Sequence, residues 1–213
     1  MHRRSTDWCK LLQMANGMAV AVTGGSYHKD KAPHISGTGG WIIYYTLTEC
    51  QVTGSFYEVS NDAGSYRGEL LGLHMLHIFL HTIEQEYYKL GPCPVPLWCD
   101  NKSALTTVEH PCSKVSMGRK HANILRAVRA VWSKGRMDHK YLHVFAHQDD
   151  YTAWENLTME SQLNCICDSL AKSAVHMGAL AVRTFPSKQS PFMLELKSKL
   201  LTLAQICVFK WGM

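Results

Sequence analysis

The order of strand-like and helix-like segments is the feature that most limits how this chain can fold. An apolar run ended by glycines (17–26) predicts a buried strand and turn, and two β-branched, aromatic segments (39–49 and 51–60) follow as a predicted hairpin. A long helical pattern (61–90) comes next, and strand-like and helix-like segments alternate after it. Three meandering strands followed by α/β alternation predict a mixed sheet with parallel later strands and helices on both faces.

The later segments complete a five-stranded α/β sheet. They are a strand at 96–99, a helix over 101–110, a helix over 118–134, a strand at 140–146 and a helix over 161–177. The predicted order is therefore β-β-β-α-β-α-α-β-α.

The chain has 213 residues and 46% hydrophobic content, which suits one ordinary core. We expect a leader or short helix at 1–16, the main domain at 17–177, and a C-terminal extension with an amphipathic helix at 178–213. The abrupt start and the tail suggest a fragment of a longer protein. No apolar run is long enough to span a bilayer, and the basic start lacks the apolar stretch of a signal peptide.

Glu69 is the most informative single residue of the long helical pattern. Apolar residues follow it at steps of three and four, and they are Leu73, Leu76, Leu80 and Ile83. This spacing predicts that Glu69 lies on the stripe that faces the sheet. The opposite stripe is predicted to face solvent, and it comprises Arg67, His74, His77, His81, Glu84 and Tyr88. A carboxylate on the buried stripe must be paired or bound to a metal, unless it frays at the helix start or bonds a backbone N–H.

Two more carboxylates and a histidine occupy positions where a site can form. Asp100 closes an apolar strand, and sites in open α/β sheets collect at the carboxyl ends of strands, although an Asp there can also cap the next helix. Asp168 lies beside the apolar stripe of the last helix, and His147 follows the last strand in a loop. Each of these two residues could instead be simply exposed.

Taken together, these residues favour a two-metal site. Carboxylates from a strand end and two helices can converge on divalent cations, and Mg²⁺ prefers oxygen ligands. Two such ions about 4 Å apart stabilise the attacking water and the leaving oxygen of a phosphodiester.

Five ordered segments carry a resemblance to a known family. They are TGGS…GTGGWII, SYRGELLGL, WCDNKSAL, HVFAHQDD and LNCICDSLAKSA, and together they cover roughly residues 17–177. In this order they resemble the type 1 ribonuclease H domain, specifically the kind carried by the reverse transcriptases of retroelements. The resemblance implies the ribonuclease H-like fold, binding of RNA–DNA hybrid, and endonucleolytic hydrolysis of its RNA strand with two Mg²⁺ or Mn²⁺ ions.

The resemblance also implies roles for individual residues. Glu69, Asp100 and Asp168 would be metal ligands, and His147 would be the mobile group that assists proton transfer or product release. Ser65 and Tyr66 stand where the family often places groups that touch the minor groove and the 2′-hydroxyls of the hybrid.

Position 24 departs from the family pattern. The family's first catalytic Asp, which contacts both metals, aligns with Gly24 in TGGS. Since glycine offers no ligand, we expect weakened metal binding and severely reduced or absent hydrolysis. Asp30 and Asp62 are possible substitutes, but both are far along the chain. A non-catalytic nucleic-acid-binding module and a decayed mobile-element relic are therefore the alternatives to an active nuclease.

Basic residues in the third helix predict a surface for phosphates. The chain carries 22 Lys and Arg against 17 Asp and Glu, a formal charge of +5. The candidate contacts are Arg119, Lys120, Arg126 and Arg129. Such contacts give binding that does not depend on sequence and weakens with salt. A merely solvated helix face explains the charge equally well, but the family's nucleic-acid-contacting helix in this region favours binding.

Other patterns exclude competing classes. The eight cysteines lack the spacing of a zinc or redox site, which favours reduced thiols in an intracellular (cytoplasmic or nuclear) protein. The series His74, His77, His81 has metal-like spacing, but it has no fourth partner, so we do not expect zinc. Transposases and integrases of the same fold place a Glu in the late helix, unlike this chain. We expect a monomer when the domain is isolated, and an upstream reverse transcriptase domain if it belongs to a polyprotein.

Overall fold

A computed structural model gives the fold of the chain. It describes residues 18–27, 37–46, 49–58, 64–86, 95–109, 115, 120–134, 139–174 and 180–182. The strands are β1 (Ala19–Ser26), β2 (Gly37–Tyr45), β3 (Cys50–Glu58), β4 (Val95–Cys99), β5 (His139–His143) and β6 (Leu180–Val182). The helices are α1 (Ser65–Glu86), α2 (Lys102–Glu109), α3 (Ala122–Trp132) and α4 (Met159–Ser173).

The predicted five-stranded mixed sheet is confirmed. β1, β2 and β3 pair antiparallel, while β4 pairs parallel with β1 and β5 pairs parallel with β4. The strand order is β5-β4-β1-β2-β3-β6. The short β6 adds itself parallel to β3, so residues 180–182 join the sheet although the sequence analysis assigned them to the C-terminal extension.

The sheet is covered on both faces, as expected. On one face, Ala21, Trp41 and Leu97 pack with residues of α1, α2 and α3 in the larger core. On the other face, Val22 and Ile42 pack with α4 in a smaller core. The alternation of side chains along β1 and β2 therefore feeds both cores.

Helix α1 is buried all round, and this corrects one prediction. Leu73, Leu76 and Leu80 face the core as expected. However, the stripe predicted to face solvent is also covered, because Arg67, His74, His77 and Glu84 are at most 5% exposed. The other two members differ, since His81 is partly exposed and Tyr88 lies outside the described residues.

The correction has a physical reason in the helix layer. Helix α3 packs on the side of α1 that points away from the sheet, and β5 flanks it. A single helical pattern shows which residues are apolar, but it does not show that a second layer covers the polar stripe. Some of these polar residues have specific partners: the buried Arg67 guanidinium makes a two-pronged ion pair with Glu58 of β3.

His77 illustrates how a buried histidine is satisfied in this layer. Its Nδ1 lies against the Leu73 carbonyl oxygen and its Nε2 lies 2.7 Å from the Tyr141 hydroxyl. Because a carbonyl only accepts, Nδ1 donates and Nε2 accepts from Tyr141. Both ring nitrogens are thus in use, and the described residues contain no metal-like group built from the histidines of α1.

Helix α3 is shorter at its start than predicted. It begins at Ala122 rather than near residue 118, because His121 adopts a left-handed backbone conformation with φ of 60°. The buried His121 ring also accepts at Nδ1 from Arg67, at 3.1 Å. Arg119 lies outside the described residues.

Two further observations concern the whole described part. Its four cysteines (Cys50, Cys99, Cys165 and Cys167) are free thiols. Among its helices, none has both the length and the apolar character required to cross a bilayer.

The buried histidines predict a pH dependence of stability. Burial lowers the pKa of His74 to about 3, and the nearby His77 adds to this effect. The folded state thus keeps His74 neutral, while the unfolded chain takes up a proton below its ordinary pKa near 6.5. The stability contribution is present above that value and is lost as pH falls toward 3.

We therefore expect His74→Gln to lose less stability on acidification than the natural chain, by about 2 kcal/mol between pH 7 and pH 5. Urea unfolding at both pH values measures this difference. The carboxylates that titrate in the opposite sense are common to both proteins, so they cancel. His147→Gln serves as the control because His147 is exposed. Equal acid sensitivity of the His74 variant and the natural chain would contradict the expectation.

Candidate metal centre

The candidate metal centre forms where two parallel strands end side by side. Thr23 of β1 is in register with Cys99 of β4. The next residues along the two strands are Gly24 and Asp100, so they are neighbours at the same sheet edge. This is where ligand sites of open α/β sheets collect.

Glu69 reaches this edge from the first turns of α1. It is 4% exposed, and its Oε1 accepts a 2.7 Å hydrogen bond from the Gly25 backbone N–H. Its Oε2 accepts a longer contact, 3.4 Å, from the Cys99 thiol. The helix comes this close because Gly25 has no side chain: a Cβ there would lie 2.4 Å from the Glu69 backbone nitrogen.

Asp100 is not the cap of the following helix. That role belongs to Asn101, whose Oδ1 accepts from the Ala104 N–H at 3.0 Å at the start of α2. The Asp100 backbone carbonyl lies 3.0 Å from the exposed His143 ring nitrogen Nε2. The Asp100 carboxyl group is therefore left to the site.

Asp168 and His147 meet at the same place from α4 and from the loop after β5. Asp168 is 8% exposed, and its Oδ2 lies 3.8 Å from the His147 ring nitrogen Nδ1. His147 has a left-handed backbone with φ of 52°, and its side chain is 59% exposed. The loop is ordered by Gln148, whose amide donates to the Phe145 carbonyl and to the Ser161 hydroxyl.

Burial disfavours the charged form of all three carboxyl groups, and the charge of Asp100 adds to this effect on Glu69 and Asp168. Burial, and then the charge of Asp100, raise the pKa of Glu69 well above its ordinary range. Burial and Asp100 also raise the pKa of Asp168 to about 6, against a smaller lowering by His147. Burial raises the pKa of Asp100 as well, and its contact with Asn164 partly opposes this. Without a positive charge beside them, ionisation of these carboxyl groups therefore destabilises the folded state.

Gly24 faces Asp168 of α4. A Cβ built at Gly24 would lie 3.0 Å from the Asp168 Oδ1, 3.3 Å from the Cys167 Cβ and 3.7 Å from the Asp168 N. These contacts are tight but not prohibitive, since the nearest atom is the end of a side chain. A carboxylate at position 24 would therefore enter the cluster beside Asp168.

Two of the three predicted ligands belong to a donor group that fits a divalent cation. Glu69, Cys99 and Asp100 each offer a ligand atom within 4.8 Å of the others, and this is the one such group among the described residues. Asp168, the third predicted ligand, is not a member of this group. Burial and then Glu69 raise the pKa of the Cys99 thiol well above its ordinary range, so it stays protonated. The carboxylate oxygens are the harder donors, and they suit Mg²⁺ or Mn²⁺.

The candidate nucleic-acid residues form a group next to the site. Ser65 is exposed and Tyr66 is half-buried in the first turn of α1, one turn before Glu69. The Tyr66 hydroxyl donates to the Thr107 hydroxyl at 3.3 Å, and its ring centroid lies 5.7 Å from that of His121. The neighbouring Lys120 is exposed. These residues therefore share one region of the surface.

Arg126 and Arg129 of α3 are oriented by backbone carbonyls. The exposed Arg126 donates through Nη2 to the Val115 carbonyl at 3.0 Å. The half-buried Arg129 donates to the Thr107 carbonyl at 2.9 Å. Thr107 of α2 contacts both Tyr66 and Arg129. It therefore links Arg129 to the start of α1.

Sequence reasoning missed two residues of the site. Cys99 contacts Glu69 from inside β4, and Asn164 is 1% exposed and lies against Asp100. Asn164 precedes Asp168 by four residues on α4, a spacing that puts both on one helix face. That spacing was the available signal.

Known structures share this arrangement of strands and helices. The foamy viral protease–reverse transcriptase in complex with RNA/DNA hybrid matches with a TM-score of 0.55 and 16% identity, over 77% of this chain and 21% of that one. LC11-RNase H1, isolated from compost, also in complex with RNA/DNA hybrid, matches with a TM-score of 0.53 and 12% identity, over 75% and 98%. The chain has the ribonuclease H fold.

A further ribonuclease H structure agrees with this assignment. The ribonuclease H domain of prototype foamy virus in solution matches with a TM-score of 0.51 and 17% identity, covering 75% of this chain and 95% of that domain. No family model matches the sequence, and a search of curated proteins finds no similar one. At these identities the ribonuclease H fold is shared, and activity must be argued from the chain's own residues.

The mutual repulsion of the carboxylates predicts a stabilising substitution. In metal-free buffer at neutral pH we expect Glu69→Gln to raise the melting temperature by a few degrees, because it removes a buried charge and keeps the acceptor for the Gly25 N–H. A raised folded pKa means that ionisation costs stability at high pH and that the cost disappears as pH falls toward 4. The gain should therefore shrink on acidification.

Differential scanning fluorimetry with and without Mg²⁺ measures this effect. We expect Mg²⁺ to raise the melting temperature of the natural chain more than that of Glu69→Gln. The exposed Glu109, changed to Gln, is the matched control and should leave both values unchanged. A lower metal-free melting temperature for Glu69→Gln would mean that Glu69 has a structural role instead.

Proposed function

We propose that this chain is a ribonuclease H-like domain that binds RNA–DNA hybrid and hydrolyses its RNA strand weakly or not at all. The binding role is supported by the surface next to the site and by the fold, which LC11-RNase H1 and the foamy viral enzyme share in complexes with RNA/DNA hybrid. The lack of activity is supported by one observation, the glycine that faces Asp168 at position 24. By the sequence motifs, the domain descends from a retroelement reverse transcriptase.

The proposed chemistry follows from what each side chain can do. When bound, two Mg²⁺ or Mn²⁺ ions would activate water and stabilise the leaving oxygen of the phosphodiester. Glu69 is held by the Gly25 N–H, and Asp100, directly after β4, and Asp168 of α4 would supply further oxygens. These three residues are the proposed ligands.

His147 is proposed to move protons at the edge of the site. Its exposed ring is 3.8 Å from the Asp168 carboxylate, and the loop that carries it is anchored by Gln148. An imidazole ring can both accept and donate a proton through its two nitrogens. It can therefore protonate a leaving oxygen or help a product leave.

The Gly24 position explains why hydrolysis should fail. In the family pattern the residue at this position contacts both ions. Without a side-chain oxygen at position 24, Glu69, Asp100 and Asp168 would hold the ions with one donor fewer, so we expect the ions to bind more weakly. Other carboxylates suggested from the sequence, Asp30 and Asp62, lie outside the described residues.

Hybrid binding is proposed to use the surface around the first turn of α1. Ser65 and Tyr66 can reach 2′-hydroxyls in the minor groove, and Lys120, Arg126 and Arg129 can contact phosphates. Arg119, proposed from the sequence, belongs to the same stretch. This assignment rests on the contact of Tyr66 with His121 and on the link from Thr107 to Arg129.

Cleavage assays with a Gly24→Asp variant test the proposed loss of activity. With Mg²⁺ or Mn²⁺ we expect Gly24→Asp to cut a labelled RNA–DNA hybrid at least about 100-fold faster than the natural chain, as one preorganised charged group contributes on this scale. Gly24→Asn has the same size but no charge, and it should stay inactive. Cleavage by the natural chain at the rate of Gly24→Asp would mean that another residue replaces the missing Asp.

The salt dependence of hybrid binding tests the proposed surface. We expect Lys120→Ala combined with Arg126→Ala to weaken binding and to reduce the slope of log K against log salt by about two, one per lost phosphate contact. Lys140→Ala is the control, because Lys140 is exposed near the start of β5, at the opposite end of that strand from the site. Fluorescence anisotropy measures both. An unchanged salt slope in the double variant would mean that Lys120 and Arg126 do not contact the hybrid. Equal affinity of the natural chain for hybrid and for duplex DNA would mean that binding is not selective for hybrid.

A further inference from the structure

Asn164 is buried beside the proposed site, where its amide lies against the Asp100 carboxyl group and its carbonyl oxygen has no partner among the described residues. It is 1% exposed, and neither its Oδ1 nor its Nδ2 makes a hydrogen bond of ordinary length and angle to the described residues. Leaving a buried polar group unpaired costs about 1–3 kcal/mol. Most buried amides in native proteins have partners, so an unpaired one indicates a missing ligand, ion or water.

The surroundings of Asn164 indicate what is missing. Its side chain lies against the Asp100 carboxyl group. It precedes Asp168 by four residues on α4, so the two side chains leave the same face of the helix. Asn164 is thus placed between two of the three proposed ligands.

The chemistry of an amide suits this location. Its carbonyl oxygen is a hard, neutral donor of the kind that Mg²⁺, Mn²⁺ and Ca²⁺ accept from Asn side chains. The amide can also turn over, which exchanges the positions of its oxygen and nitrogen. Since Gly24 offers nothing, the site lacks one oxygen donor, and Asn164 has one that the protein does not otherwise use.

We propose that Asn164 is a further oxygen donor of the cation site, and that it compensates in part for the ligand missing at position 24. The inference rests on the proposed function, because it takes Asp100 and Asp168 as cation ligands. A neutral amide does not replace the charge of the missing Asp. Asn164 would therefore support binding of a cation without supplying the charge that an Asp at position 24 would add.

Mn²⁺ titration of the folded protein tests this role without any nucleic acid. Isothermal titration calorimetry gives the affinity, and fluorimetry gives the metal-free melting temperature. The variants are Asn164→Leu, which removes the donor at similar volume, and Asn164→Asp, which keeps an oxygen donor and adds charge. Gln162→Leu is the control on the same helix, because the Gln162 amide donates to the Trp154 carbonyl rather than to the site.

We expect Asn164→Leu to lower the Mn²⁺ affinity about 10-fold or more, as losses at ligand-supporting positions often do. Its metal-free melting temperature should change little, because the loss of the contact with Asp100 is offset by the removal of a buried carbonyl oxygen that has no partner among the described residues. Asn164→Asp should bind Mn²⁺ more tightly than the natural chain. Gln162→Leu should keep the natural affinity.

Three results would overturn the inference. If Asn164→Leu binds Mn²⁺ as tightly as the natural chain does, the amide is hydrogen-bonded to water and does not contribute to cation binding. Weaker binding by Asn164→Asp would mean that Asn164 only positions Asp100, since a second carboxylate would then repel its neighbour without adding a donor. A large fall of the metal-free melting temperature in Asn164→Leu, with unchanged affinity, would make the residue structural.

The same titration on Gly24→Asp separates this inference from the proposed function. Strong Mn²⁺ binding by Gly24→Asp, together with an unaffected Asn164→Leu, would leave the proposed function standing and remove Asn164 from the site. Absence of Mn²⁺ binding in both Gly24→Asp and the natural chain would contradict the cation site itself.

Discussion

The close approach of helix α1 to strand β1 is the contact on which the rest of the site depends. Gly25 lets the helix backbone come within a distance that any side chain would block, and its N–H then holds the Glu69 carboxylate. This contact places a charge inside the larger core, at the edge where β1 and β4 end. Everything that follows, including the raised pKa values and the need for a counter-charge, results from that burial.

The same contact explains why position 24 matters. Neighbouring residues of a strand point to opposite faces, so Gly25 serves α1 while Gly24 faces α4 and Asp168. The two glycines therefore have different consequences. Gly25 is required by the packing of α1 on β1, whereas a side chain at position 24 would fit after a small adjustment of its neighbours. A glycine at position 24 is therefore compatible with the fold, and it leaves the proposed cation site without a side-chain donor at that position.

Much of the fold was predictable because its signals are local. The apolar run before Gly24, the aromatic hairpin segments and the helical pattern after Glu69 each indicate secondary-structure elements, and the order of these elements then limits the topology.

The features that could not be predicted depend on a second layer of helices. His74 and His77 look like a solvent stripe until α3 covers them, and the start of α3 depends on the left-handed conformation of His121. Similarly, Asp100 and Asn101 can both cap a helix, and only the contact with Ala104 shows that Asn101 does. Asn164 carries no signal in sequence beyond its spacing from Asp168.

The central claim is that one missing side chain separates this site from a two-ion centre. Anomalous diffraction from crystals soaked in Mn²⁺ tests it directly, with the natural chain and Gly24→Asp compared at equal Mn²⁺ concentration. The account predicts two ions about 4 Å apart in Gly24→Asp and at most one in the natural chain. Two ions at full occupancy in the natural chain would contradict it, because the site would then be complete without a ligand at position 24.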